Sequence, residues 1–114
     1  MKIETAFLSI AADDFEAEGR WWTDLIGRPP DRFPVSDCKE WDLAPGLLFQ
    51  VLDTPGGRRT AVSLRVADLG PVLDRIRGAG IDAPDPSPVP GFDTLRMSAF
   101  EDPEGNPVAL LDGA

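Results

Sequence analysis

The segment EDPEGNPVALL (residues 101–111) combines a tight turn with the strand that follows it. In the turn, Asp102 can bond nearby backbone groups, Pro103 fixes its own φ angle, and Gly105 tolerates a positive φ angle. The apolar run at 108–111 predicts a strand. The turn is typical of a structural hairpin, so this segment indicates a fold and does not by itself indicate a chemistry.

The residues before this segment complete a repeating unit. Asp68 predicts a helix N-cap, and the helix after it carries apolar residues three and four positions apart. Strands are predicted on both sides of this helix, together with one short edge strand in a Pro-rich connection. These elements span residues 60–66 (strand), 68–78 (helix), 81–90 (connection), 95–100 (strand) and 108–111 (strand). The predicted order is β-α-β-β-β.

The first half of the chain repeats this order. A shift of 54 positions places Asp14 on Asp68 and Trp22 on Ile76, so cap and helix coincide. The predicted elements are a strand at 2–11, a helix from Asp13-Asp14 to about Ile26, and extended stretches at 32–35, 38–43 and 47–52. Because ~55 residues alone bury too little surface, we interpret residues 1–114 as one domain. Its first module spans about 1–53 and its second about 60–114.

Composition excludes several classes of function. The 114 residues include no His, one Cys and a net charge of -9. The chain therefore has no Ser-His-Asp triad, no imidazole base, no disulfide within the chain and no Cys-only zinc site. The acid excess argues against a nucleic-acid partner. No apolar run is long enough to span a bilayer, so we expect a cytoplasmic protein without a membrane partner.

The duplicated βαβββ pattern resembles the vicinal oxygen chelate superfamily, also called the glyoxalase/bleomycin resistance/dioxygenase superfamily. The helix DFEAEGRWWTDLIG (14–27), the strand FQV (49–51), the strand SLRVAD (63–68) and the turn DPEGN (102–106) carry the resemblance. It implies an α+β fold in which two tandem modules form one curled mixed sheet, an open scoop with helices outside. It also implies a homodimer.

Metal enzymes of this superfamily carry ligands on the inner face of the scoop. The resemblance places these ligand positions at Phe7, Gln50, Ala61 and Ala109. Of these side chains only that of Gln50 can coordinate, and a lone amide oxygen does not hold a divalent cation. We therefore expect no metal and no other cofactor.

A scoop without a metal is still a concave pocket. Strand alternation predicts an inner face that is largely apolar, as small-molecule sites are, with further residues at its rim. The inner-face candidates are Phe7, Ser9, Leu48, Gln50, Ala61, Ser63, Arg65, Ala109 and Leu111, and the rim candidates are Trp41, Phe92, Arg96 and Met97. The leading hypothesis is binding of a hydrophobic or aromatic small molecule, in a sequestration, carrier or resistance-type role.

Besides a scaffold role without a ligand, two alternatives remain open at this point. The first is a metal-independent isomerase or lyase whose acid–base groups are carboxylates or the Cys38 thiolate, with Arg65 or Arg96 stabilising an oxyanion. Its candidate carboxylates are Asp37, Glu40, Asp42 and Asp93, and none is assigned a catalytic role. The second is a metal-dependent lyase or dioxygenase with displaced ligands, drawn from Glu4, Gln50 and an Asp.

Overall fold

The computed structural model describes all 114 residues. They form two compact units, Met1–Thr60 and Ala61–Ala114, termed unit one and unit two. In each unit one helix packs on one mixed β-sheet. The predicted α+β fold of two related modules is confirmed. No helix of the chain is long and apolar enough to cross a membrane.

Unit one is a three-stranded sheet with one helix. Its elements are β1 (Ala6–Ala12), α1 (Phe15–Ile26), β2 (Cys38–Ala44) and β3 (Leu47–Asp53). The strand order is β1-β3-β2, with β1 parallel and β2 antiparallel to the central strand. The stretch predicted at 32–35 forms only an isolated bridge between Arg32 and Glu40. The pyrrolidine nitrogens of Pro30 and Pro34 carry no N–H, so a ladder cannot extend there.

Two neighbouring aspartates at the start of α1 have different partners. Asp14 is the N-cap, and its side chain accepts a 3.0 Å hydrogen bond from the amide of Ala17. Asp13 accepts a 2.7 Å bond from the amide of Gly56, in the loop after β3. A Cβ atom at Gly57 would lie 2.2 Å from the Cβ of Ala11. This loop therefore packs closely on β1 through a residue without a side chain.

The core of unit one lies between α1 and the sheet. Trp22 from the helix packs on Phe49 with ring centroids 4.5 Å apart, and Trp41 packs on the same ring at 5.7 Å. All three aromatic side chains are at most 1% exposed. Burial of such large rings is the main favourable contribution to folding in a unit of this size.

Unit two has four strands and one helix. Its elements are β4 (Val62–Arg65), α2 (Leu69–Gly78), β5 (Ser87–Pro88), β6 (Arg96–Glu101) and β7 (Pro107–Asp112). The strand order β4-β7-β6-β5 confirms the short edge strand predicted in the Pro-rich connection. In the 102–106 turn the carboxylate of Asp102 accepts from the amides of Glu104 and Asn106 at 3.0 and 2.8 Å. This geometry confirms a structural hairpin.

Candidate functional site

The face of the unit-one sheet that points away from α1 carries the candidate site. Ile10, Phe49 and Val51 are buried on the helix side, so the residues alternating with them point to the other side. We call this surface the open face; it comprises Phe7, Ser9, Cys38, Glu40, Asp42, Leu48, Gln50 and Leu52. The structure therefore brings together four predicted site residues, Phe7, Ser9, Leu48 and Gln50.

A chain of hydrogen bonds crosses the open face from β1 to β2. The hydroxyl of Ser9 donates to Oε1 of Gln50 at 2.8 Å, and Nε2 of Gln50 donates to Oε2 of Glu40 at 2.7 Å. The guanidinium of Arg32 donates to Oε1 of Glu40 at 2.8 Å and to Oδ2 of Asp42 at 2.5 Å. These five residues form the polar chain. Its bonds fix the orientation of the Gln50 amide and of the Glu40 carboxylate.

At one end of the polar chain, Arg32 forms ion pairs with two carboxylates, those of Glu40 and Asp42. Hydrogen bonds first to Asp42 and then to Glu40 raise the pKa of the Arg32 guanidinium. Glu40 is only 5% exposed, so its carboxylate is held by charge-assisted bonds and not by water. The open face therefore carries oriented donors and acceptors that are fixed before any ligand arrives.

Apolar surface adjoins the polar chain. The Phe7 side chain is 59% exposed, and Leu48 beside it on β3 is half-buried. A cavity of about 550 Å³ is lined by Leu48, Asp42, Thr5 and the 43–46 hairpin. Pockets of this volume that join apolar surface to a few fixed polar groups are typical of small-molecule sites.

The donor set of the open face does not fit a divalent metal. No group of three or more Cys, Asp or Glu side chains is arranged to hold one. The amide oxygen of Gln50 already accepts from Ser9, and Phe7 offers no donor atom. In unit two, Ala109 and Ala61 likewise have no ligating atom.

The unit-two candidates also share one face of their own sheet. Arg65 lies directly opposite Leu111, and Ser63 lies opposite Ala109, on the side that points away from α2. Ser63 and Arg65 are exposed, whereas Leu111 is half-buried. Ser63, Arg65 and Leu111 therefore share one face of the unit-two sheet.

The predicted place of Trp41 is corrected. Trp41 pairs with Phe49 on the helix side of the sheet and is 0% exposed. Its indole N–H donates to the carbonyl of Arg28 at 3.0 Å. A side chain this deeply packed is part of the core and not of a pocket rim.

The predicted place of Arg96 is corrected as well. Arg96 lies opposite Asp112 and donates to its two carboxylate oxygens at 2.7 and 2.8 Å. Asp112 also accepts from the amide of Leu69, the first residue of α2, at 2.8 Å. The bond to Arg96, and then that to Leu69, lowers the pKa of Asp112, and the same ion pair raises the pKa of Arg96. This pair lies on the helix side of the sheet and anchors the start of α2, whereas a pocket rim was predicted.

Comparison with known proteins identifies the family. The glyoxalase-like domain family matches residues 7–111, which covers most of both units. The chain belongs to this family. The resemblance to the glyoxalase/bleomycin resistance superfamily is thereby confirmed. No curated protein gives a significant match to this glyoxalase-like protein.

Solved structures share the fold of this glyoxalase-like protein. A glyoxalase/bleomycin resistance protein from Catenulispora acidiphila is 26% identical, with a TM-score of 0.84 over 96% of this chain and 98% of the other. The oxidase ChaP-H2 is 23% identical, with a TM-score of 0.75 over 100% and 96%. TnmS3, an antibiotic binding protein from a Streptomyces species, is 19% identical, with a TM-score of 0.74 over 96% and 95%. The last two show a common fold only.

Cys38 is buried on the open face, next to the polar chain. Burial, and then the nearby charges of Glu40 and Asp37, raise the pKa of the Cys38 thiol. A raised pKa disfavours the thiolate form that a cysteine nucleophile needs. The Cys38 side chain contributes to packing beneath the open face.

Sequence reasoning named Glu40 and Asp42 among many carboxylates but did not connect them to Gln50, and it missed Arg32 altogether. One signal was available: a core Trp41 forces Glu40 and Asp42 onto the opposite side of the same strand. Arg32 gave no such signal, because its place depends on an isolated bridge between distant residues.

Proposed function

We propose that this glyoxalase-like protein binds a hydrophobic or aromatic small molecule on the open face of unit one. Its role would be sequestration, transport or resistance. The observation that carries this proposal is the position of the exposed Phe7 ring beside an ordered polar chain on one surface. An exposed ring contributes little to folding, whereas it provides a large stacking surface for a ligand.

The chemistry of the open face supports a binding role. Gln50 and Glu40 present oriented polar atoms, while Phe7 and Leu48 supply apolar area. The positions at which metal enzymes of the superfamily carry ligands hold apolar side chains here, except for Gln50. An antibiotic binding protein has the same fold, which agrees with the proposal.

We further propose that the protein is a cytoplasmic homodimer, as the family resemblance implies. Strand edges that end a small sheet are commonly covered by a partner chain. Light scattering on the purified protein tests the assembly, and a monomeric mass at micromolar concentration would contradict it.

The ligand proposal is tested by a thermal-shift screen with aromatic polyketide antibiotics, aromatic metabolites and divalent metals. A compound that binds only the folded state raises the melting temperature, and calorimetry then gives its affinity. Phe7→Ala should weaken binding of the strongest antibiotic hit by about tenfold, because stacking and burial of one ring are lost. Chromatography of the recovered compound separates binding from turnover.

Val35→Ala is the matched control. Val35 is 59% exposed, as Phe7 is, and it lies outside the open face. Equal affinities of the two variants would refute the open-face site. A melting temperature raised by a metal ion alone would refute the interpretation of this chain as metal-free.

A further inference from the structure

A second cleft lies on the other side of unit one, between α1 and the segment 30–39. Its volume is about 410 Å³, and its walls include Phe15, Phe33 and Pro30. Arg20 and Asp24 line it as well, and their opposite charges offset each other. We call it the outer cleft. It shares no lining residue with the open face.

The base of the outer cleft holds a nearly buried ammonium group. Lys39 is 7% exposed, and its Nζ lies 4.2 Å from the centroid of the Phe15 ring. This Nζ donates to the Phe15 carbonyl at 3.3 Å and lies 3.3 Å from Oε2 of Glu16, whose side chain is 72% exposed. Both distances are at the long end of the hydrogen-bond range. An exposed carboxylate in such a pair is held weakly, so another carboxylate can replace it.

A glycine makes the space in which this ammonium lies. Gly19 is buried in the middle of α1, where glycine disfavours the helix compared with alanine. A Cβ atom at this position would lie 2.4 Å from Nζ and 2.7 Å from Cδ of Lys39. Glycine at position 19 therefore lowers the helix propensity of α1, but any larger side chain there would displace the Lys39 ammonium.

We propose that the outer cleft is a second binding site, specific for small aromatic carboxylates. The ligand ring packs against Phe15 and Phe33, and its carboxylate replaces that of Glu16 at the Lys39 ammonium. The side-by-side placement of an aromatic ring and a desolvated cation matches a ligand that carries a ring and a negative charge close together. This site is independent of the proposed open-face site.

Phenylacetate is the probe, and 2-phenylethanol is its uncharged analogue. Amide shifts in NMR spectra of the full chain should move at Gly19, Thr23 and Ser36 on titration with phenylacetate. Lys39→Met should weaken phenylacetate binding by at least about tenfold and leave the affinity for 2-phenylethanol unchanged. Glu16→Gln should tighten phenylacetate binding about two- to fivefold, because the competing carboxylate is gone.

Gly19→Ala separates this proposal from a purely structural role of Lys39. The added methyl group would displace the flexible end of the lysine, so phenylacetate binding should weaken while the protein still folds. Phe7→Ala should leave phenylacetate binding unchanged, so failure of one site is distinguishable from failure of the other. Equal affinity for phenylacetate and 2-phenylethanol, or no gain with Glu16→Gln, would overturn the proposal even if Lys39→Met does not fold.

Discussion

The two units share one plan but place their principal polar contacts on opposite faces of the sheet. In unit one, the bonds among Ser9, Gln50 and Glu40 run across the open face, away from α1. In unit two, the Arg96–Asp112 ion pair lies on the helix side and joins the start of α2. In unit one the polar side chains thus lie on a surface that a ligand can reach, whereas in unit two they anchor a helix.

This difference shows which surface can take on function. The helix side of each sheet is filled by apolar packing, with Trp22, Phe49 and Trp41 in unit one and Val62, Val108 and Leu110 in unit two. Changes there reduce stability first. The open face of unit one instead carries the exposed Phe7 ring, which contributes little to the core. Its exposed positions are the ones at which a ligand site can vary without loss of the fold.

The largest expected effect is a loss of unfolding free energy when a large side chain is removed from the helix side of the unit-one sheet. Trp41→Ala should destabilise the protein by about 3–5 kcal/mol, because it leaves a large cavity and an unpaired Arg28 carbonyl. Chemical denaturation measures this change. Trp21→Ala is the control, since Trp21 is only half-buried and should cost less. A smaller loss of unfolding free energy for Trp41→Ala than for Trp21→Ala would contradict the core position of Trp41 and support the predicted rim position.

A smaller effect is expected from the polar chain itself. Glu40→Ala removes the acceptor of both Gln50 and Arg32, and should cost about 2 kcal/mol in denaturation experiments. The exposed residue Glu4 provides the control variant Glu4→Ala, with no expected change. If Glu40→Ala were neutral, the polar chain would orient ligand groups without stabilising unit one, and the contrast between the units would become sharper.

The smallest expected effect depends on pH. Because the folded state lowers the pKa of Asp112, the Arg96–Asp112 pair stabilises the protein above the unfolded pKa of about 3.9 and is lost as the pH falls through the folded value. Asp112→Asn should therefore lower the melting temperature by several degrees at pH 7 and by progressively less in acid. Asp82→Asn is the exposed control. A pH-independent difference between Asp112→Asn and the parent protein would contradict the helix-anchoring role.

Much of the fold could be predicted from the sequence, because short-range interactions between neighbouring residues determine it. Asp68 as a cap, the end of α1 before the left-handed Gly27, and the 102–106 hairpin are all decided by residues within a few positions of one another. The exact start of α1 does not follow from the sequence, because Asp13 and Asp14 are both suitable N-caps. In the structure Asp14 caps the helix and Asp13 binds the distant amide of Gly56.

For the candidate site, the sequence predicts only which side chains of a single strand share a face. Alternation assigned Phe7, Ser9, Leu48 and Gln50 to one face, since period two is a property of one strand. The bond between Gln50 and Glu40 depends on the register of two strands across a hairpin, which contains a bulge between Asp42 and Ala44. The outer cleft was not foreseen, because it depends on how the segment before β2 folds back toward α1.

The loop that follows β3 is tied to unit one before the chain enters unit two. Asp13 binds the amide of Gly56, and Gly57 packs against Ala11 without room for a side chain. The boundary between the units, after Thr60, therefore suits a crossover in chimeras, in which modules of two family members are recombined and this loop stays with its own unit.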